Sequence, residues 1–243
     1  MMTNFSWLSR TELLIGKTGL EKLAQSHVMI VGLGGVGSFA AEFIARSGVG
    51  KMTIIDGDIV DPTNRNRQLV ALATNHGAYK VEVMAERLRA INPEVQIITI
   101  KEFIQPEMVL QQMAAQPEYV IDAIDSITPK LTFLVAASEQ KIRIVSSMGA
   151  GGKLDPTCLQ VADISKTHHC VFAQQIRKML KRNYQIRNGI KCVFSAEQPK
   201  KESLILTDGS NYKKSAYGTV SYMPAVFGAV AASVVIRDLI GEP

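Results

Sequence analysis

Four apolar residues, Val28-Met29-Ile30-Val31, run without a break into Gly32-Leu33-Gly34-Gly35-Val36-Gly37-Ser38. A strand, a glycine-rich turn and a helix start in this order make a phosphate-binding βα unit, which ties the chain to a narrow set of α/β folds. Gly32 permits the tight turn, Gly34 and Gly35 let backbone approach phosphate, and Gly37 lets helix pack on strand. The helix N-terminus adds unpaired N–H groups for an anion.

The rest of the first half repeats the alternation. Strands are expected at Val28–Val31, Lys51–Ile55, Gln96–Lys101, Tyr119–Asp122 and Arg143–Ser146. Between them Val36–Arg46, Tyr79–Ala90, Glu107–Ala115 and Pro129–Gln140 place apolar residues three and four apart, the spacing of helices with one buried face. This is the pattern of a Rossmann-like, doubly wound, mainly parallel sheet with helices on both faces. At 243 residues, 47% of them hydrophobic, one domain over 1–243 is expected, with a nucleotide-binding half at about 20–150. The second half, 151–243, is less regular. Lys166 to Lys201 is expected as a long crossover or mobile loop with a helix at Gln174–Arg182; Lys191–Phe194 and Ser203–Leu206 read as short strands and Val220–Leu239 as a last helix. Tyr222–Ile236 is apolar but shorter than the roughly 20 residues that span lipid, so a buried helix is expected, with loose membrane association left open. Met1–Arg10 lacks the apolar stretch of a secretory signal. Cys158, Cys170 and Cys192 form no CxxC pair, which excludes a disulfide framework and a thiolate zinc knuckle and suits a reducing cytoplasm.

Asp56 closes the second strand, where a carboxylate can accept hydrogen bonds from ribose hydroxyls. To this point a dinucleotide-binding protein and a triphosphate-using enzyme fit equally well. The next stretch separates them: Asp58, Asn64-Arg65-Asn66-Arg67-Gln68, Lys80, and Asp122-Ala123-Ile124-Asp125 after the fourth strand. Hydride transfer has no need of this cationic set. Cleaving a triphosphate does, because guanidinium and ammonium groups neutralise phosphate charge while a carboxylate holds Mg²⁺.

With its GxGGxG turn at Gly32–Gly37, DxD at Asp56 and Asp58, NxxRQ at Asn64, Arg67 and Gln68, Lys80, and DxxD at Asp122 and Asp125, the chain resembles the E1-like superfamily of adenylate-forming enzymes over nearly its whole length. The resemblance implies an E1-like adenylation fold in which Asp56 binds the ribose of ATP, Asn64, Arg67 and Lys80 contact the triphosphate, and Asp125 holds Mg²⁺. It also implies that Arg10, ahead of Leu13-Leu14-Ile15-Gly16, reaches into the ATP site of the other protomer of a homodimer. Relatives that adenylate the C-terminus of a ubiquitin-like sulfur-carrier protein usually carry two CxxC pairs, which this chain lacks. The Ser146–Gly151 turn, Asp155-Pro156 and Val193–Glu197 resemble instead the branch that acts on tRNA. That branch adenylates the side-chain carboxylate of threonylcarbamoyladenosine at position 37, beside the anticodon, and closes it into a ring with net loss of water. The partners it implies are tRNA, through its anticodon loop, and a cysteine desulfurase or sulfur-acceptor system, with no role for DNA.

Lys and Arg exceed Asp and Glu by 27 to 22, a net +5 that suits an anionic ligand. Arg177, Lys178, Lys181, Arg182, Arg187 and Lys191 form a basic cluster with Tyr184 available for stacking on an unpaired base, either an RNA surface or a solvated loop. His168-His169-Cys170 has no matching ligands elsewhere and is not expected to bind metal. His27 and His76 are expected to be structural or exposed. Gly149-Ala150-Gly151-Gly152 is either a carbonyl-lined site for Na⁺ or K⁺ or a plain turn. Three alternatives follow: a tRNA-modifying adenylating enzyme, a carrier-protein adenylating enzyme, and a nucleotide-binding module without ATP chemistry.

Overall fold

The computed structural model describes residues 6–206 and 215–242. In chain order the elements are α1 (Ser9–Gln25), β1 (His27–Val31), α2 (Gly37–Arg46), β2 (Lys51–Ile55), α3 (Lys80–Ile91), β3 (Gln96–Ile100), α4 (Pro106–Met113), β4 (Tyr119–Asp122), α5 (Ile127–Glu139) and β5 (Arg143–Ser147). They continue with β6 (Leu159–Asp163), α6 (Val171–Tyr184), β7 (Lys191–Ser195), β8 (Leu204–Leu206), β9 (Ser215–Tyr217) and α7 (Tyr222–Ile240).

β1 is buried along its whole length, as expected of a central strand covered on both faces. Its side chains alternate between two cores. Val28 and Ile30 join Ile44 of α2, Met84 and Leu88 of α3, and Phe227, Ala231 and Val235 of α7. Met29 and Val31 join Val109 of α4, Phe133 of α5, and Ile176 and Leu180 of α6. The period-two pattern of one strand thus sets which helices lie on which face.

The seven-stranded sheet has the order β3-β2-β1-β4-β5-β7-β6, parallel except for β6, which runs antiparallel to β7 at the edge. β8 and β9 make a separate antiparallel pair. The chain winds outward from β1 through β2 to β3, then returns to place β4 on the other side of β1. Connections diverge there, and a crevice opens at the carboxyl ends of β1 and β4. The glycine turn leaves β1 and Asp122–Asp125 leaves β4, so the topology brings both motifs to that point.

Several expectations are corrected. Within Lys166–Lys201 the expected helix and strand are present as α6, longer than Gln174–Arg182 at both ends, and β7, so the segment is an ordered crossover rather than a mobile loop, and Ile176 and Leu180 of α6 are core residues. The edge strand β6 and the strand β9 had not been anticipated. β6 is half-exposed, without the apolar alternation that marks a covered strand. The helix α1 was also missed, because Gly16, at φ 72° and ψ 169°, breaks it and Leu13 and Leu14 are exposed rather than turned to the core. α7 is long and apolar enough to cross a membrane by length and composition only. Here its Met223, Phe227, Ala231 and Val235 are buried, and Gly228 lets it approach α2.

Candidate active site

The turn after β1 is shaped by contacts that leave no room for side chains. Gly32 has φ +87° and donates its N–H to Ile55 O, 2.8 Å away. A Cβ on Gly37 would lie 1.7 Å from Gly32 O, and one on Gly35 would lie 2.8 Å from Pro224 Cβ of α7. Gly34 differs: a Cβ there would meet nothing closer than Gln68 Nε2 at 3.9 Å. That face of the turn is open to a ligand.

Asp56, at the end of β2, fixes the turn from below. Its Oδ2 accepts the Leu33 N–H at 2.6 Å and its Oδ1 accepts the Asp58 N–H at 2.8 Å. Burial raises the pKa of its carboxyl, while the nearby Lys80 charge and the two N–H groups work the other way. Asp58 in turn holds Lys80. The Lys80 backbone N–H donates to Asp58 O at 3.0 Å and its Nζ pairs with Asp58 Oδ2 at 2.9 Å. Lys80 is buried whereas the Asp58 side chain is about half exposed, so a buried ammonium is presented to the crevice by a partner that solvent can reach.

The segment between β2 and α3 carries the remaining cation. Asp61 caps a short 3₁₀ turn, Pro62–Asn64, and the Asn64 carboxamide oxygen accepts the Asp61 N–H in a reciprocal capping box. Asn64 is buried, and its backbone carbonyl accepts the N–H groups of Arg67 and Gln68. The Arg67 guanidinium donates to Thr63 O at 2.9 Å and Asn66 Oδ1 at 2.8 Å, which holds it against the turn. Gln68 is buried beneath Gly34 and its Oε1 has no partner among the described residues. A buried amide oxygen without a donor costs about 1–3 kcal/mol, which a bound ligand hydroxyl or water would relieve.

On the β4 side, Asp122 is fully buried. It accepts from Lys130 Nζ at 2.6 Å and Ser146 Oγ at 2.6 Å, and its Oδ1 accepts the Ile124 N–H at 3.0 Å. Lys130, also fully buried, donates further to Ser146 Oγ and Ser147 O. This network braces the turn carrying Asp125, whose side chain is exposed at the crevice. The sequence had singled out Asp122 but not Lys130. The signal was available: Ile127, Lys130, Leu131 and Leu134 share one helical face, so a charge stood at a core-facing position.

Other candidates are placed differently. Gly149 O accepts from Lys153 Nζ at 2.7 Å and Gly152 O accepts the Lys200 N–H at 2.8 Å, so two carbonyls of the glycine run already have donors. Arg177 is pinned to Ile164 O and Thr167 O, and Lys191 to Asp238. Since β7 starts at Lys191 and runs parallel to β5, the basic end of α6 lies at the end of the sheet opposite the crevice. Tyr184 stands there too, away from the expected reaction centre. His168 contacts His169 through one ring nitrogen and Gln160 through the other, and among the described residues no three His, Cys, Asp or Glu side chains gather as a metal site. Arg10 is exposed in the first turn of α1.

A doubly wound sheet, a glycine turn at its switch point, and two cations on the adjoining segment, Arg67, whose backbone carbonyl packs on Gly35, and Lys80, whose charge acts on Asp56, define a nucleotide-binding α/β protein of the E1-like class. The chain belongs to the ThiF family, whose model matches residues 8–243. It is 42% identical over 243 residues to the tRNA threonylcarbamoyladenosine dehydratase of Bacillus subtilis (strain 168), covering 96% of this chain and 94% of that one. The corresponding enzyme of Escherichia coli (strain K12) is 38% identical over 98% of this chain and 96% of its own. The crystal structure of the E. coli enzyme, TcdA, in complex with ATP superposes with a TM-score of 0.90 at 38% identity, covering 100% of this chain and 97% of that one. The sulfur carrier protein ThiS adenylyltransferase of E. coli matches only 62% of this chain, at 32% identity.

Proposed function

We propose that this chain is an ATP-dependent enzyme that dehydrates threonylcarbamoyladenosine at position 37 of tRNA, closing the side chain into a ring through an acyl-adenylate. The observation that carries the proposal is the likeness to tRNA threonylcarbamoyladenosine dehydratases over nearly the full length of both chains, including the half beyond the nucleotide turn. The lack of any CxxC pair and the shorter match to the carrier adenylyltransferase argue against a sulfur-carrier substrate.

The residues present fit a nucleoside triphosphate: the open face of Gly34, the Gln68 oxygen without a partner among the described residues, and the Lys80 and Arg67 cations on the segment that follows β2. In this proposal the turn's N–H groups and the α2 N-terminus take the phosphates, Asp56 takes the ribose, and Asn64, Arg67 and Lys80 neutralise the triphosphate. Asp125 holds Mg²⁺. One carboxylate suffices, because Mg²⁺ is commonly held by one or two carboxylates together with substrate phosphates. A Na⁺ or K⁺ ion at Gly149–Gly152 is not favoured, since two of its candidate carbonyls already accept hydrogen bonds.

The reaction balances as follows. A carboxylate oxygen bonds to the α-phosphorus as the bond to pyrophosphate breaks. An internal nucleophile of the same side chain then bonds to the acyl carbon, AMP leaves with the former carboxylate oxygen, and the nucleophile's proton passes to solvent. Arg67 and Lys80 stabilise charge on the phosphates throughout, so positioning and charge neutralisation together supply most of the catalysis.

A homodimer is part of the proposal. Leu13 and Leu14 are 90% and 84% exposed on the helix that carries Arg10, which makes α1 suited to packing on a second copy. Exposed Lys178, Lys181, Arg182 and Arg187 offer phosphate contacts to parts of a tRNA remote from position 37, and the cytoplasm, where tRNA is found, is the expected location. AMP release tests the chemistry. It should require tRNA bearing the modified adenosine and should not respond to a carrier protein with a Gly-Gly tail; the reverse dependence would refute the proposal.

A further inference from the structure

The segment after β5 holds a buried lysine to which the nucleotide roles give no task. Lys153 is 5% exposed, and among the described residues its ammonium donates one hydrogen bond, to Gly149 O at 2.7 Å. An ammonium has three donors, and Lys153 takes part in none of the described ion pairs. Burial lowers its pKa, against weaker opposing effects of Cys170 and Glu197. The Glu197 carboxylate is engaged by the backbone N–H groups of Leu154 and Asp155. A buried charge without a close counter-ion is costly unless a ligand supplies one.

Lys153 lines an open cavity of about 490 Å³, within the usual range for small-ligand sites. Lys200, Asn66, Thr219 and Ser221 line it too, and among the described residues no Asp or Glu does. Two of its lining residues connect it to the nucleotide site. Asn66 accepts from Arg67 and donates to Thr219 O at 2.9 Å. Ser221 precedes α7, whose Pro224 packs on Gly35 of the phosphate turn. A cationic cavity lined by the hydrogen-bond partner of Arg67 and by the residue that leads into the helix packed on Gly35 adjoins the nucleotide site, on the side from which an acceptor could meet a bound triphosphate.

We propose that this cavity is the acceptor subsite and that Lys153 binds the carboxylate to be adenylated, that of the threonylcarbamoyl side chain, by a charge-assisted hydrogen bond. The inference rests on the function proposed above. The test compares anticodon stem-loop RNAs carrying either threonylcarbamoyladenosine or plain adenosine at position 37. Their binding is measured in the presence of a non-hydrolysable ATP analogue, together with turnover of the modified RNA. K153M should keep its melting temperature, its affinity for the ATP analogue and its affinity for the plain RNA. Its preference for the modified RNA should fall about 10- to 100-fold, with a matching rise in KM, the scale of one lost hydrogen bond to a charged group. K153Q, which can still donate to Gly149 O but carries no charge, should show the same loss. An unchanged preference overturns the inference. So does an equal loss for both RNAs, which assigns Lys153 to an RNA phosphate, or a loss of nucleotide affinity or of folding in both variants, which makes the lysine structural. Wild-type protein that neither prefers nor converts the modified RNA refutes the functional proposal itself. Wild-type and K153M proteins that convert it with the same KM refute only the role of Lys153.

Discussion

Two fully buried charges, Asp122 and Lys130, sit 2.6 Å apart under the turn that carries Asp125. Such a pair gains little over an apolar pair of similar shape, but removing one member leaves the other buried and unmatched. K130M should therefore lower stability by about 3–5 kcal/mol in urea unfolding, and adding D122N should restore much of the loss. His27, buried at the start of β1 with its Nε2 2.8 Å from Thr53 Oγ1, titrates in the opposite sense from a histidine held charged. Burial, followed by the nearby Lys51 charge, lowers its pKa from 6.5 to about 4. The unfolded chain thus binds more protons between those values, and stability rises with pH across that window. The contribution is complete above about 6.5 and is lost as the pH falls toward 4. H27Q should flatten the dependence of the unfolding free energy on pH over that range; an unaltered slope would assign it to other groups. At this scale the sequence disclosed Asp56, Asp58, Lys80 and Arg67 as candidates because their types and spacing match one chemistry. Lys130 and Lys153 escaped notice because a lone lysine gives no sign of being buried until the core-facing pattern around it is examined.

The elements most legible in the sequence are those with the strongest periodicity. β1, β2, β4 and β5 are covered strands with apolar runs, and their helices repeat at three and four residues, so both kinds stand out. α6 was blurred by its charged outer face, which diluted the Ala173, Ile176 and Leu180 stripe. α1, β6 and β9 have few core contacts to write into the sequence. α7 makes a testable link between packing and the site. A Cβ on Gly228 would lie 2.5 Å from Val36 O, inside the phosphate turn. G228V should cost about 1–3 kcal/mol of stability and weaken ATP binding as well, measured by urea unfolding and by nucleotide titration. Loss of stability with ATP affinity unchanged would show that α7 does not position the turn.

For the molecule as a whole, the topology places the site, and the proposed homodimer would complete it with Arg10 of a second copy. If Arg10 acts in trans, R10A and R67A proteins, each inactive alone, should regain up to about a quarter of wild-type activity when mixed and allowed to exchange subunits, since half the dimers then hold one intact site. No recovery under conditions where exchange is demonstrated would place Arg10 in its own protomer's site or outside the reaction. Nucleoside mass spectrometry reads out which molecule carries the adenylated carboxylate. The protein is incubated with ATP, Mg²⁺ and tRNA bearing threonylcarbamoyladenosine, and the RNA is digested and weighed. Loss of one water from the modified nucleoside, dependent on ATP and reduced at least about 10³-fold in R67A, is the predicted result. An unchanged nucleoside from protein that still binds ATP would contradict it.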